Sequence, residues 1–373
     1  MVCDRCDDDT YQRAQQAGAR AFETVQNEGR KAGALNQALE NYVDWQQPDQ
    51  YLFICDADTV ITEDWIEHAK RVIAQGDYDA VGSVFYGTAN RNKLIEFCQQ
   101  LEWYRYANQV RRSKKVFVLT GTASLIRAET LQKVRQQIGT FYREDSITED
   151  FALTLDLKAA GAKMISPLSC YCTTEIMPTW RLLYLQRRRW YLWALQQVTR
   201  RRWDKMMLPY VFQQLMLLIS VFAFLGLIVF TTYLMLENLM IFSLLWFVIG
   251  VIFATERVVT IWDQDFQAKF FALMMLPELM YSLFLQLAYL GALLQLLQGS
   301  TGTWNHLNTD HCCVRSGVVF ILPAFLSKPS TTMLDVPFRS ALSFDFSKIV
   351  INTLLNFIIS NASFDRSLVG IPC

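Results

Sequence analysis

A net charge is what this sequence most plainly lacks: 35 Lys and Arg stand against 35 Asp and Glu, so there is no basic excess to suggest a nucleic-acid partner. Histidine is scarce, at three residues. The Cys3/Cys6 and Cys170/Cys172 pairs therefore lack companions at the short spacings of a zinc site. A disulfide framework is unusual in a chain this long, and the nine scattered thiols are expected to be mostly reduced and buried. Met1 to Thr10 is acidic and has no apolar run, so no signal peptide is read there and the amino-terminal part is expected to stay cytosolic.

Hydrophobic residues make up 52% of the chain, and the excess is concentrated after Gln213, which predicts a soluble half followed by a membrane half. The soluble half reads as helix from Asp9 to Leu39, then as a short buried strand, Tyr51 to Cys55, ending in acidic residues. Helix over Trp65 to Ala74, strand over Ala80 to Phe85, helix over Lys93 to Gln109, strand over Val116 to Leu119 and helix over Phe151 to Ala160 complete an α/β alternation. In such sheets ligands collect beyond the carboxyl ends of strands, where Asp56, Asp58 and the Thr120-Gly121-Thr122 turn are expected.

Leu215 to Leu236 carries no charge and is long enough to cross roughly 30 Å of hydrocarbon. Leu239 to Thr255 is shorter but uncharged, and Phe270 to Leu297 carries only Glu278, beside the helix-bending Pro277. Three spans are therefore expected. Arg181, Arg187, Arg188, Arg189, Arg200, Arg201, Arg202 and Lys205 all precede the first, which by the positive-inside rule places the α/β part in the cytosol. The resulting division is 1–205 as a cytosolic domain, with an amphipathic interfacial segment near 178–205, about three helices over 213–298, and an unassigned irregular tail over 299–373.

Three clusters can carry chemistry. Asp56 and Asp58 are two residues apart after a strand and can share one hard divalent cation, Mg²⁺ or Mn²⁺, which would neutralise a departing diphosphate. Thr148-Glu149-Asp150 opens a helical run; the three can act as an N-terminal cap, or Asp150 can accept a proton from an attacking hydroxyl. Gln186, Arg189 and Trp190 stand at i, i+3 and i+4, one helical face offering an amide, a cation for diphosphate and a ring for a sugar. The alternative is a helix whose cations and aromatics meet lipid headgroups. Lys31, within Gly29-Arg30-Lys31-Ala32-Gly33, is a further candidate phosphate ligand at a helix start.

Taken in order, these pieces resemble the family 2 glycosyltransferases, the GT-A group that includes cellulose, chitin and hyaluronan synthases, over roughly Met1 to Leu297. Cys3-Asp4-Arg5-Cys6-Asp7-Asp8-Asp9-Thr10 is similar to the second-strand motif, and the resemblance implies that Asp4 contacts a uracil base. Arg30-Lys31-Ala32-Gly33-Ala34-Leu35-Asn36 is similar to the Gly-Lys-Ala-Gly-Ala-Leu-Asn segment. Asp56 and Asp58 match the metal-binding Asp-x-Asp, Thr148-Glu149-Asp150 the Thr-Glu-Asp whose last Asp is the base, and Gln186, Arg189 and Trp190 the Gln-x-x-Arg-Trp of processive, inverting, membrane-embedded transferases.

The resemblance thus implies a Rossmann-like GT-A domain at the plasma or inner membrane. It would take a nucleotide-sugar donor, UDP-linked by the Asp4 match, with Asp4, Lys31, Asp56, Gln186, Arg189 and Trp190 on the donor. Trp190 and Glu149 would meet a glycan acceptor. The family's usual opening strand and preceding membrane helices are not read in this chain, which begins at the second strand. Two alternatives stand beside this reading: a non-processive transferase acting on a lipid-linked acceptor, and an inactive remnant serving as a membrane partner.

Overall fold

The computed structural model describes residues 1–299 apart from 7, 48, 92, 114, 147, 201–204 and 238–243, together with 318–322. These lie in one compact unit, Met1–Leu326; the expected irregular tail over 299–373 falls almost wholly outside the described residues. In chain order the elements are β1 (Val2–Cys3), α1 (Thr10–Gln16), β2 (Phe22–Glu23), α2 (Arg30–Tyr42), β3 (Tyr51–Cys55), β4 (Val60–Ile61), α3 (Trp65–Gly76), β5 (Ala80–Gly82), β6 (Val84–Gly87), α4 (Leu94–Ser113), β7 (Ala123–Arg127) and α5 (Ala128–Ile138). Then follow α6 (Glu149–Ala159), β8 (Met164–Ile165), β9 (Tyr171–Thr174), α7 (Trp180–Arg200), α8 (Leu208–Leu236), α9 (Leu244–Val259), α10 (Phe266–Leu273), α11 (Leu276–Leu297) and β10 (Val318–Leu322).

The largest sheet runs β10-β3-β7-β5-β8, with β5 and β8 parallel and its other neighbours antiparallel. Its centre is buried on both faces because β3 and β7 are apolar at nearly every position. With a side-chain period of two, Leu52, Ile54 and Ile126 join Leu35, Leu39, Leu131, Phe141 and Leu157 on the face covered by α2, α5 and α6. Phe53, Cys55, Ala123 and Leu125 meet Trp65, Ala69 and Ile73 of α3 on the other. Each side chain of this size that is fully withdrawn from water contributes about 1.5–3 kcal/mol. The α/β class read from the sequence is therefore present, as a mixed sheet between helical layers.

Several elements differ from the sequence reading, each for a local reason. The expected helix from Asp9 to Leu39 is interrupted at Gly18, whose φ of +80° suits glycine alone, and the chain enters β2 before α2 begins. The expected strand over Ala80 to Phe85 divides at Ser83, where the chain leaves the large sheet and pairs with β9 as β6. Val116 to Leu119 is not a strand, because side chains take its backbone groups. Lys158 donates to Val116 O at 2.6 Å, Tyr210 to Phe117 O at 2.6 Å, and Leu119 N donates to Thr154 Oγ1 at 2.8 Å. Cys3, Cys55, Cys98, Cys170 and Cys172 are free and buried as expected, whereas Cys6 is disulfide-bonded.

Two helices among the described residues are long and apolar enough to cross a membrane: Lys205–Leu236, which extends α8 by a 3-10 turn, and α11. They fall in the first and third of the expected spans; the second, Leu239 to Thr255, begins outside the described residues, which resume at α9. The run from Phe270 breaks at Met275, whose φ is +55°, so α10 ends and α11 starts afresh. Pro277 does not bend that helix; it sits in its first turn, where a missing N–H leaves no bond unmade. Glu278, the lone charge expected in this run, is buried and ion-paired with Arg105 of α4. α8 exposes Phe212, Ile219, Phe222, Val229, Phe230 and Leu236, an apolar surface suited to lipid.

Trp65 tests this core. It is fully buried against Phe53, with ring centroids 4.9 Å apart, and its indole N–H donates to Ser83 Oγ at 2.9 Å. Trp65→Ala is expected to cost about 3–5 kcal/mol in chemical unfolding followed by tryptophan fluorescence.

Candidate active site

The β3–β7 register builds the site. Cys55 pairs with Ala123, so the turn before β7 lies just beyond the end of β3, and Asp56 N donates to Thr122 O at 3.1 Å. The Thr120-Gly121-Thr122 turn therefore reaches its expected place, but as the entrance to an antiparallel strand and not the exit of Val116–Leu119. A Cβ on Gly121 would stand 3.1 Å from Lys31 Nζ and 3.6 Å from both Asp56 Oδ2 and Asp150 Cβ. Glycine leaves an open cradle between one cation and two carboxylates.

Lys31 comes to this point from the first turn of α2. Its ammonium pairs with both Asp56 Oδ1 and Glu149 Oε1. Asn36, one turn further along α2, donates to Tyr142 O and Glu144 Oε1, both at 2.9 Å, which ties the helix to the segment leading into α6. Asp150, at the start of α6, accepts from Phe151 N at 2.8 Å and Gly121 N at 3.4 Å. Thr148 occupies the N-cap position without a side-chain capping bond, so the capping role expected of it is not the one it plays.

The charges are strongly coupled to burial. Burial pushes the Asp56 carboxyl up to about 6 against the opposing pull of Lys31. Burial, and then the charge of Glu149, also raises Asp150. For Glu149 burial acts upward, yet Lys31 outweighs it and holds the group below its ordinary value. Lys31 is itself held well above the ordinary lysine range, because Asp56 and Glu149 overcome the cost of burial. The two adjacent acids are thus unlike: Glu149 is an ionised partner of Lys31, and Asp150 is the one with raised proton affinity.

α7 delivers the remaining side chains. Arg189 lies within electrostatic reach of Glu149 and Asp150, and burial lowers its affinity for its proton against their pull. Trp190 packs on Trp103 of α4, with centroids 6.2 Å apart, within a cluster that includes Phe85 and Cys172. Gln186 is half-buried on the same helix. Asp4, at the end of β1, is buried and accepts from Thr24 Oγ1 at 2.5 Å, while Val2 and Phe22 pack β1 and β2 onto α2. Asp4 thus borders the helix that presents Lys31.

Asp56 and Asp58 are both half-buried at the β3 end. Among the described residues no group of three or more His, Cys, Asp or Glu is placed to hold a metal ion. Two hard carboxylates suit a cation such as Mg²⁺, which takes one or two of them and completes its shell with water and ligand oxygens.

Sequence reasoning missed Tyr106 and Arg187. Tyr106, on α4, is pushed up to about 12 by burial and by the charge of Asp150. Arg187 is 3% exposed, stacked within 4.7 Å of the Trp103 centroid and 4.5 Å of the Trp190 centroid, and bound to Glu102 at 2.9 Å. The sequence counts it only among the cations that precede the first apolar span. Its spacing from Glu102 crosses 85 residues, which no local pattern reveals.

The family model described as glycosyl transferase family group 2 matches residues 51–289. No curated protein matches the chain. Among solved structures, a mannosyltransferase from Pyrobaculum calidifontis in complex with GDP-Man and Mn²⁺ is 15% identical, with a TM-score of 0.48, covering 78% of this chain and 74% of that one. TarS of S. aureus is 15% identical with a TM-score of 0.32, covering 53% of this chain and 33% of that one.

Arg187→Leu would leave Glu102 without its cation and is expected to cost about 3 kcal/mol. A double-mutant cycle with Glu102→Gln should return a coupling of about 1 kcal/mol or more, read by denaturant unfolding in detergent.

Proposed function

The chain belongs to glycosyl transferase family group 2, and from that premise we propose that it transfers a sugar with inversion from a UDP-sugar to a glycan acceptor at a membrane, Asp150 acting as general base. The observation that carries this reading is the convergence of Lys31, Asp56, Gly121 and the Glu149-Asp150 pair, from four separate segments, on one cradle at the end of β3. Asp150 supplies the raised proton affinity that a base working near neutrality needs. It takes the acceptor hydroxyl proton as that oxygen bonds to the anomeric carbon and the bond to the diphosphate oxygen breaks. Single displacement inverts the centre.

Lys31 and Arg189 bear on the leaving diphosphate, and Asp4 on the nucleobase. Asp56 and Asp58 would hold Mg²⁺ or Mn²⁺, which when bound supplies further neutralisation of that diphosphate. Trp190, steadied by Trp103 and Arg187, offers an apolar ring to a sugar, with Gln186 on the same helix and Glu149 toward the acceptor side. The Lys205–Leu236 helix and α11 anchor the chain in the plasma or inner membrane, and the cations preceding them favour a cytosolic catalytic part, where the donor is available. A lipid-linked acceptor is the second reading, favoured by the apolar surface of α8 close to the catalytic layer.

Asp150→Asn is expected to lower kcat by about 100-fold or more, measured as UDP release from membranes containing the protein; normal transfer would remove Asp150 as the base. Because the base must be ionised, kcat/KM should rise with pH along a limb lying above the ordinary aspartate value of about 3.9. EDTA should abolish turnover, and added Mn²⁺ or Mg²⁺ should restore it.

A further inference from the structure

The Lys31 ammonium is ion-paired to the same Asp56 carboxylate that would hold a metal. It pairs with Asp56 Oδ1 on one side and Glu149 Oε1 on the other, and lies 3.1 Å from where a side chain on Gly121 would begin. Lys31 is 15% exposed and Glu149 14%, so water does little to screen the contact. Two cations at ion-pair range of one carboxylate repel each other strongly in so dry a setting. Metal on Asp56 and Lys31 on Asp56 are therefore competing arrangements.

The charge balance says what resolves the competition. Asp56, Asp58, Glu149 and Asp150 place four formal negative charges around two cations, Lys31 and Arg189. Without ligand, Lys31 offsets Asp56 and Glu149 together. A nucleoside diphosphate brings new anionic oxygens to the same cradle, and a lysine on a flexible four-carbon stem can turn to them as a compact charge. Asp56 is then released.

We propose that Lys31 is an internal counter-cation that closes Asp56 to divalent metal in the empty site and moves to the donor diphosphate on its arrival, so that metal capture follows donor entry. The proposal rests on the donor and metal reading given above. Glu149 has a defined part in it, as the second carboxylate that holds Lys31 in the closing position. Gly121 has another, because a Cβ there would crowd the Lys31 ammonium at 3.1 Å.

The test is Mn²⁺ uptake by the full chain in detergent, by equilibrium dialysis with protein-free controls, using Mn²⁺ alone and Mn²⁺ with UDP. Wild type should bind Mn²⁺ alone at least about tenfold more weakly than with UDP. Lys31→Met should bind Mn²⁺ alone at least about tenfold more tightly than wild type, a gain removed by adding Asp56→Asn. Equal affinity of wild type with and without UDP, or no gain in a folded Lys31→Met, overturns the proposal while leaving the transferase reading intact. Where Lys31→Met folds poorly, Lys31→Gln is titrated with Mn²⁺ alone in the same way and should show the same gain, since the wild-type difference with UDP also contains the diphosphate's own ligation of the metal. Absence of Mn²⁺ uptake by wild type even with UDP overturns both the proposal and the metal reading beneath it.

Discussion

Everything at the cradle depends on the antiparallel register of β3 and β7. Cys55 opposite Ala123 sets the last residue of one strand beside the first of the other, so the acidic exit of β3 and the glycine turn entering β7 share one edge. That register is protected by burial on both faces: a slip of one residue would exchange Leu52 and Ile54 with Phe53 and Cys55 between two differently shaped layers. The polar centre is thus positioned by an apolar constraint.

α7 is the second organising element. Its Trp193 packs with Phe151 and Leu155 of α6, its Leu192 and Leu195 pack with Val221 of α8 and Tyr289 of α11, and its Leu183 meets Ile95 of α4. One helix therefore touches the layer that carries Asp150 and the long apolar helices. Arg187 stands inside this junction, where Glu102 and two indole rings replace the water it gives up.

What could be read from the sequence followed from local signals. The apolar run Tyr51 to Cys55 ending in Asp56 and Asp58, the helix opened by Glu149-Asp150, and Lys31 at the start of a helix all stand in the structure as elements, because each is specified by neighbours along the chain. The partners were hidden where they come from afar. Val116 to Leu119 has the composition of a strand, but Lys158, Tyr210 and Thr154 claim its backbone groups from 35 to 93 residues away. Arg187 has the look of a surface cation in a basic run, and only the arrival of α4 makes it a core residue. The span read from Phe270, with a bend at Pro277, breaks instead at Met275, because periodicity carries no sign of a single residue with positive φ.

The Glu102 carboxylate accepts from Arg187 of α7 and, at 2.5 Å, from Tyr281 of α11, while Arg105 one turn away pairs with Glu278. These contacts are charged, largely enclosed, and reach from the α/β layers to a helix apolar enough to span a membrane. The transferase half is consequently no detachable cargo on an anchor. Cutting it free would strip Arg105 of Glu278 and Glu102 of the Tyr281 hydroxyl, so the soluble layer and the greasy one have to be made, purified and evolved as a single machine part.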